Sequence, residues 1–156
     1  MTVVTMDDPF LETLKDIYYA EKHIVKALPA MVKKAGDGQL KDALETDRDE
    51  TEGQIERLEE VFKLIYTPAR GKKCDAIEGI LAEAKKHADI KNNAVGSAQA
   101  VGHYEITRYG TLIAWANQLG KHDAARLLEE DLTEEKHANE LLTKIAESSV
   151  NRKAAA

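Results

Sequence analysis

The residues best able to do chemistry are four glutamates and a histidine: Glu21, Glu50, Glu105, Glu134 and His137. From Glu21 to Glu50 is 29 residues, and from Glu105 to Glu134 is again 29. Glu134-x-x-His137 is the helical i, i+3 pair by which one helix gives both a carboxylate and an imidazole to a metal. Four carboxylates gathered in a dry interior cannot all ionise, because each desolvated charge repels the others. Two divalent cations would balance them, and carboxylate oxygen with imidazole nitrogen suits iron or manganese. The expected cofactor is therefore a pair of divalent ions, iron ahead of manganese. Glu21 and Glu105 would be terminal or chelating ligands, Glu50 and Glu134 would bridge, and His137 would sit on one metal. Metals with open positions can react with oxygen or peroxide, so an enzyme of this kind would be an oxidoreductase of ferroxidase or peroxidase type.

Long helices must bring these residues together. Leu14, Ile17, Glu21, Ile24, Leu28 and Met31 step by threes and fours and predict a first helix from Asp8 to about Ala35. Asp8 would be its N-cap with Pro9 at the first helical position. Pro29 should kink it, and Gly36 suits the left-handed position that ends it. A second helix, about Gln39 to Tyr66, carries Leu40, Leu44, Leu58, Val61 and Ile65 on one seam. Between them the same steps land on Asp47, Glu50 or Thr51, and Gln54, so the core-facing line turns polar for about two turns. Residues 67–73 are turn-rich, and Asp75-x-x-Glu78 resembles a capping box that opens a short connecting helix to about Ala88. The third long helix, about Asn92 to Leu119, has the seam Val95, Ala98, Gly102, Glu105, Tyr109, Leu112, Ala116 and Leu119. The fourth, from near Asp123 to near Ser148, has Leu127, Asp131, Glu134, Ala138, Leu141 and Ile145. Residues 1–7 read as a lead, 8–148 as one bundle, and 149–156 as a frayed tail.

A shift of 84 residues lays one half of the chain on the other. Leu28 falls on Leu112, Gly36 on Gly120, Leu44 on Leu128 and Leu58 on Leu142. Glu21 falls on Glu105, Asp47 on Asp131 and Glu50 on Glu134. Each half is an antiparallel hairpin whose turn lies near the middle of its 29-residue interval, so its two glutamates reach about the same height. The fold expected is all-α: a ferritin-like four-helix bundle of two antiparallel hairpins, joined by a long crossover with a short fifth helix.

Composition bounds the rest. The chain of 156 residues has a net charge of −6 and no basic stripe, which argues against a nucleic-acid partner. No apolar run is long enough to span a bilayer and no signal pattern opens the chain, so a cytoplasmic protein away from membranes is expected. Cys74 has no second cysteine to pair with and reads as a free thiol. Asp47, Asp131 and Gln54 read as neighbours of the ligands or as solvent-exposed groups. Tyr18 and Tyr109 read as core tyrosines, with a hydrogen bond to a ligand carboxylate as the functional alternative. His23, His87, His103 and His122 lie off the seams and read as surface residues. The alternative to a metal site is a hydrogen-bonded polar layer that sets helix register in a metal-free scaffold protein.

The chain resembles the YciE/YciF family of bacterial ferritin-like stress proteins over about residues 8–148. The resemblance is carried by Leu14-Lys-Asp-Ile-Tyr-Tyr-Ala-Glu-Lys22, by Glu50-Thr-Glu-Gly-Gln-Ile-Glu-Arg-Leu-Glu59 and by Gly71-Lys-Lys-Cys-Asp75. His103-Tyr-Glu-Ile106, Tyr109-Gly-Thr-Leu112 and Leu132-Thr-Glu-Glu-Lys136 complete it. It implies a ferritin-like bundle, a homodimer and a place in the stress response. The chain departs from the family pattern at Asp47, where His is usual, and at Gly102, where Glu is usual. Helix 2 also has Gly53, not His, three residues after Glu50.

Overall fold

A computed structural model describes residues 5–87 and 94–150, with side chains as far as Ser148. Four long helices and one short one account for most of it: α1 (Asp7–Lys34), α2 (Gly38–Leu64), α3 (Asp75–His87), α4 (Ala94–Gln118) and α5 (His122–Ile145). A π-helical turn, Ala146–Val150, continues α5. The first turns of the third long helix and the end of the connecting helix, expected at Asn92 and Ala88, lie outside the described residues, as does most of the tail. α1 packs on α2 and α4 on α5 as two antiparallel hairpins, and the pairs α1–α4 and α2–α5 close the bundle. This is the ferritin-like four-helix bundle, with α3 lying in the crossover against α4 and α1. No described helix is long and apolar enough to cross a membrane.

The apolar steps become the core they predict. Leu14, Ile17, Ile24 and Leu28 of α1, Leu40, Leu44, Leu58 and Val61 of α2, and Leu112 and Ala116 of α4 are all buried. Burying a leucine or isoleucine side chain stabilises the fold by roughly 1.5–3 kcal/mol, so this shared core dominates helix propensity. α5 differs from expectation. Its buried line is Ala124, Leu128, Asp131, Glu135, Leu142 and Ile145, while Leu127 is half-buried and Leu141 exposed. The doublets Leu127-Leu128, Glu134-Glu135 and Leu141-Leu142 offer two seven-residue lines about 100° apart, both compatible with Asp131 and Ile145. The core takes the second member of each doublet.

The two hairpin turns close differently. Gly120 is left-handed, with φ 73°, and the N–H groups of Gly120 and Lys121 reach back to Asn117 and Ala116, a Schellman closure. Its repeat partner Gly36 does not take that conformation, contrary to expectation; α1 ends on an extended Ala35. Asp37 then caps α2, its carboxylate accepting from the N–H groups of Gln39 and Leu40 at 3.0 and 3.1 Å. Asp8 lies inside the first turn of α1, where its carboxylate accepts from the Thr5 N–H instead of standing at the cap. α1 remains helical through Pro29, which is exposed.

The crossover is fastened at two points. Gly71 passes so close to α1 that a Cβ would lie 3.0 Å from the Tyr19 Cβ, and Lys72 N–H donates to the Lys15 carbonyl at 3.2 Å. Cys74, free and buried, lies with its Sγ 3.0 Å from the Tyr104 hydroxyl of α4.

Candidate metal centre

A polar layer interrupts the core near the middle of the helices. α1 supplies Glu21, α4 supplies Glu105 and α5 supplies Glu135, none more than 3% exposed. One carboxylate oxygen of each lies within 4.8 Å of those of the other two. Asp131 of α5 and Thr51 and Gln54 of α2 are buried with them, and Asp47 is half-buried. The Tyr109 hydroxyl donates to Glu21 Oε1 at 2.9 Å, so this tyrosine takes the functional alternative left open for it. Tyr18 instead donates to Glu59 at 3.1 Å.

The layer is not self-satisfied. Glu21 Oε2, Glu105 Oε2, Glu135 Oε1, Asp131 Oδ2 and both polar atoms of the Gln54 amide are buried and lack a hydrogen-bond partner among the described residues. Each unpaired buried polar atom costs about 1–3 kcal/mol. Burial pushes Glu105 well above the usual carboxylate range, with the charges of Glu135 and Glu21 adding to it. Burial does the same to Glu135, reinforced by Glu21 and Asp47. Glu21 is raised by burial against the pull of Glu105, Tyr109 and Arg57. Asp131 is pushed up to about 7, burial outweighing the Arg57 guanidinium beside it. Asp47 also rises to about 7, through burial first and then through Glu21 and Glu50. The layer therefore needs protons or a cation.

Of the five residues expected here, the bundle brings Glu21 and Glu105 into one cluster. Glu50 is half-buried and outside it; burial raises its carboxyl while the charges of His137 and Arg57 oppose that. Glu134 is half-buried and is engaged by Arg57. His137 is exposed. The fourth seam thus meets the layer through Glu135 in place of Glu134. The repeat held the signal: Leu44 on Leu128 and Leu58 on Leu142 select the line containing Glu135, whose own counterpart is Thr51. Thr51 and Glu135 are both buried, Glu50 and Glu134 both half-buried, so the 84-residue correspondence survives and only the chosen line moves. Gly102 faces this arrangement: a Cβ there would lie 3.7 Å from Glu135 Oε2, an ordinary contact.

The buried donors fit a hard divalent cation. Three carboxylates converge with free oxygens, beside an unpartnered amide, and oxygen donors suit manganese, ferrous iron and magnesium. Among the described residues no imidazole is buried with them.

Comparison with known proteins agrees with the fold and the motifs. Residues 5–155 match the family described as a domain of unknown function, DUF892. Protein YciF of Escherichia coli K12 is 38% identical over 162 residues, covering 99% of this chain and 98% of its own. The crystal structure of the E. coli stress protein YciF superposes with a TM-score of 0.90 at 37% identity, covering 96% of this chain and 99% of that one. YcfI from Rhodopseudomonas palustris, called a candidate structural protein, gives 0.88 at 46% identity over 92% of this chain and 96% of its own. A protein from Xanthomonas campestris at 22% identity and a TM-score of 0.78 shares the fold. The chain belongs to the DUF892 family of YciF-like proteins.

Proposed function

We propose that this chain is a stress-response protein whose Glu21, Glu105 and Glu135 carboxylates hold divalent iron or manganese. The single observation behind the reading is the set of unmet buried oxygens, one on each of three converging glutamates. A bound ion of either kind supplies redox chemistry toward oxygen or peroxide. The residues around it hold and shield. Tyr109 fixes Glu21 through Oε1 and leaves Oε2 unengaged. Leu58 and Leu112, both fully buried, belong to the apolar core that keeps the layer from bulk water. The likeness to a stress protein sets the biological context. The test is metal analysis of protein purified without added metal, followed by calorimetric titration with manganese and ferrous iron. Binding in the unmodified protein and its loss in Glu135→Gln are expected; no binding in either would overturn the reading.

A metal-free structural role is the second reading. It is favoured by the upward push on every carboxylate of the layer, which lets the layer persist protonated. Likeness to YcfI is in keeping with it. A chelator that leaves the melting curve of the freshly purified protein unchanged would support this role.

A further inference from the structure

A cation is already built into the polar layer. Arg57 of α2 is largely buried, and its guanidinium engages two carboxylates of α5 at once, Nε on Asp131 and Nη2 on Glu134. A third, Glu130, lies 4.0 Å from Nη1. The guanidinium also lies over Gly53: a Cβ on that glycine would meet Nη1 at 3.7 Å and Nη2 at 3.9 Å. Gly53 occupies a telling position. In the 84-residue repeat Glu50 corresponds to Glu134 and Gly53 to His137, so Glu50-x-x-Gly53 is the α2 counterpart of Glu134-x-x-His137. Where α5 carries an imidazole, α2 carries no side chain, and a guanidinium fills the space.

We infer that Arg57 stands in for a second metal ion, so that each chain takes one divalent cation where the sequence pattern suggests a pair. The inference rests on the metal reading of the triad and adds its stoichiometry. Two sets of carboxylates then have separate partners. Glu21, Glu105 and Glu135 keep free oxygens for an ion, whereas Asp131 through Oδ1 and Glu134 through Oε1 are engaged by the Arg57 guanidinium, with Asp131 Oδ2 left unpartnered. The planar fork reaches both carboxylates from one position. A bridging ion would have to displace Arg57 from Glu134 and enter the space over Gly53 against its charge.

Manganese stoichiometry tests this, read by calorimetry and by metal content after gel filtration, with electron paramagnetic resonance reporting whether ions are isolated or coupled. The unmodified protein is expected to bind one manganese ion per chain with the signal of an isolated ion. Arg57→Lys, which keeps the charge, is expected to stay at one. Arg57→Gln frees Asp131 and Glu134 and is expected to admit a second, weaker ion, with a coupled-pair signal. Two ions in the unmodified protein or in Arg57→Lys would overturn the assignment of Arg57 while leaving the triad intact as a site. One ion in a folded Arg57→Gln would overturn it as well. No ion in any of the three proteins overturns the metal reading itself.

Discussion

The two hairpins share a plan and differ in charge. In α4–α5 the layer receives Glu105, Asp131 and Glu135; at the corresponding places α1–α2 offers Glu21, Asp47 and Thr51, and adds Gln54 and Arg57. One half is a wall of three buried acidic residues, and the other has one buried glutamate, the half-buried Asp47, the amide and hydroxyl of Gln54 and Thr51, and a cation. Glu21 and Glu105, and Thr51 and Glu135, are buried in both halves because the seven-residue line fixes which way a side chain faces, whereas the charge at each position is free to change. A symmetric scaffold thus carries an asymmetric site, with its carboxylates crowded toward α4 and α5.

The sharpest way to break the comparison is to restore the symmetry. Thr51→Glu places a fourth glutamate, at the repeat counterpart of Glu135, in a layer whose carboxylates already outnumber its one cation, Arg57. Without metal it should destabilise the protein by several kcal/mol, roughly 3–5. Saturating manganese should recover part of that loss in thermal melts; equal destabilisation with and without metal would argue against a cation in the layer.

Cation removal comes next. An ion that binds only the folded form at a thousandfold excess over its dissociation constant stabilises by about 4 kcal/mol. A chelator should then lower Tm by about 8–16 °C, at about 2–4 °C per kcal/mol for a chain of this size. Glu135→Leu should abolish that shift and raise the Tm of the chelated protein, because a buried carboxyl gives way to continuous core. Glu134→Leu should instead lower Tm in both conditions, because it leaves part of the Arg57 fork unmatched.

The pH response should follow the same division. Asp131 has a folded-state pKa of about 7 against an unfolded value of about 4. The folded form therefore binds this proton more tightly, and its contribution is complete below about pH 4 and lost as pH rises through about 7. Glu21, Glu105, Glu135 and Asp47 shift in the same direction. Metal-free protein should lose stability from pH 5 to pH 8, by up to about 1.4 kcal/mol per proton per unit. Metal competes with those protons, so the stabilisation it brings should grow over the same interval. Parallel melting curves for loaded and chelated protein would show that the layer's carboxylates do not exchange protons for metal. The smallest effect is expected from Tyr109→Phe, which removes the donor to Glu21 Oε1 and should cost about 1–2 kcal/mol, measured by chemical denaturation.

The glutamates of α1 and α4 were legible in the sequence because the apolar steps around them agree on one line. Leu14, Ile17, Ile24 and Leu28 admit one helical line, and Glu21 falls on it. On α4, Tyr109 and Leu112 fix Glu105 in the same way. α5 was ambiguous because its leucines and glutamates come in adjacent pairs; helical periodicity alone cannot choose between lines one residue apart. The equal 29-residue intervals pointed to Glu50 and Glu134, whereas the buried partners lie one position further on, at Thr51 and Glu135. Arg57 could not be found by periodicity at all. It lies off the buried line, and its role depends on two carboxylates of another helix.

The fastening of the layer across both hairpins has a kinetic consequence. Glu105 and Glu135 belong to one hairpin, but Glu21 is 84 residues from Glu105 and reaches it only when the hairpins dock. Each hairpin is closed by nearby contacts that can form early, whereas the layer waits for a long loop to close and for its carboxylates to shed water. An ion gripped only after docking lies on the native side of the folding barrier. It is expected to lengthen the lifetime of the folded bundle by slowing the separation of the hairpins, and to leave the rate at which they first meet almost unchanged.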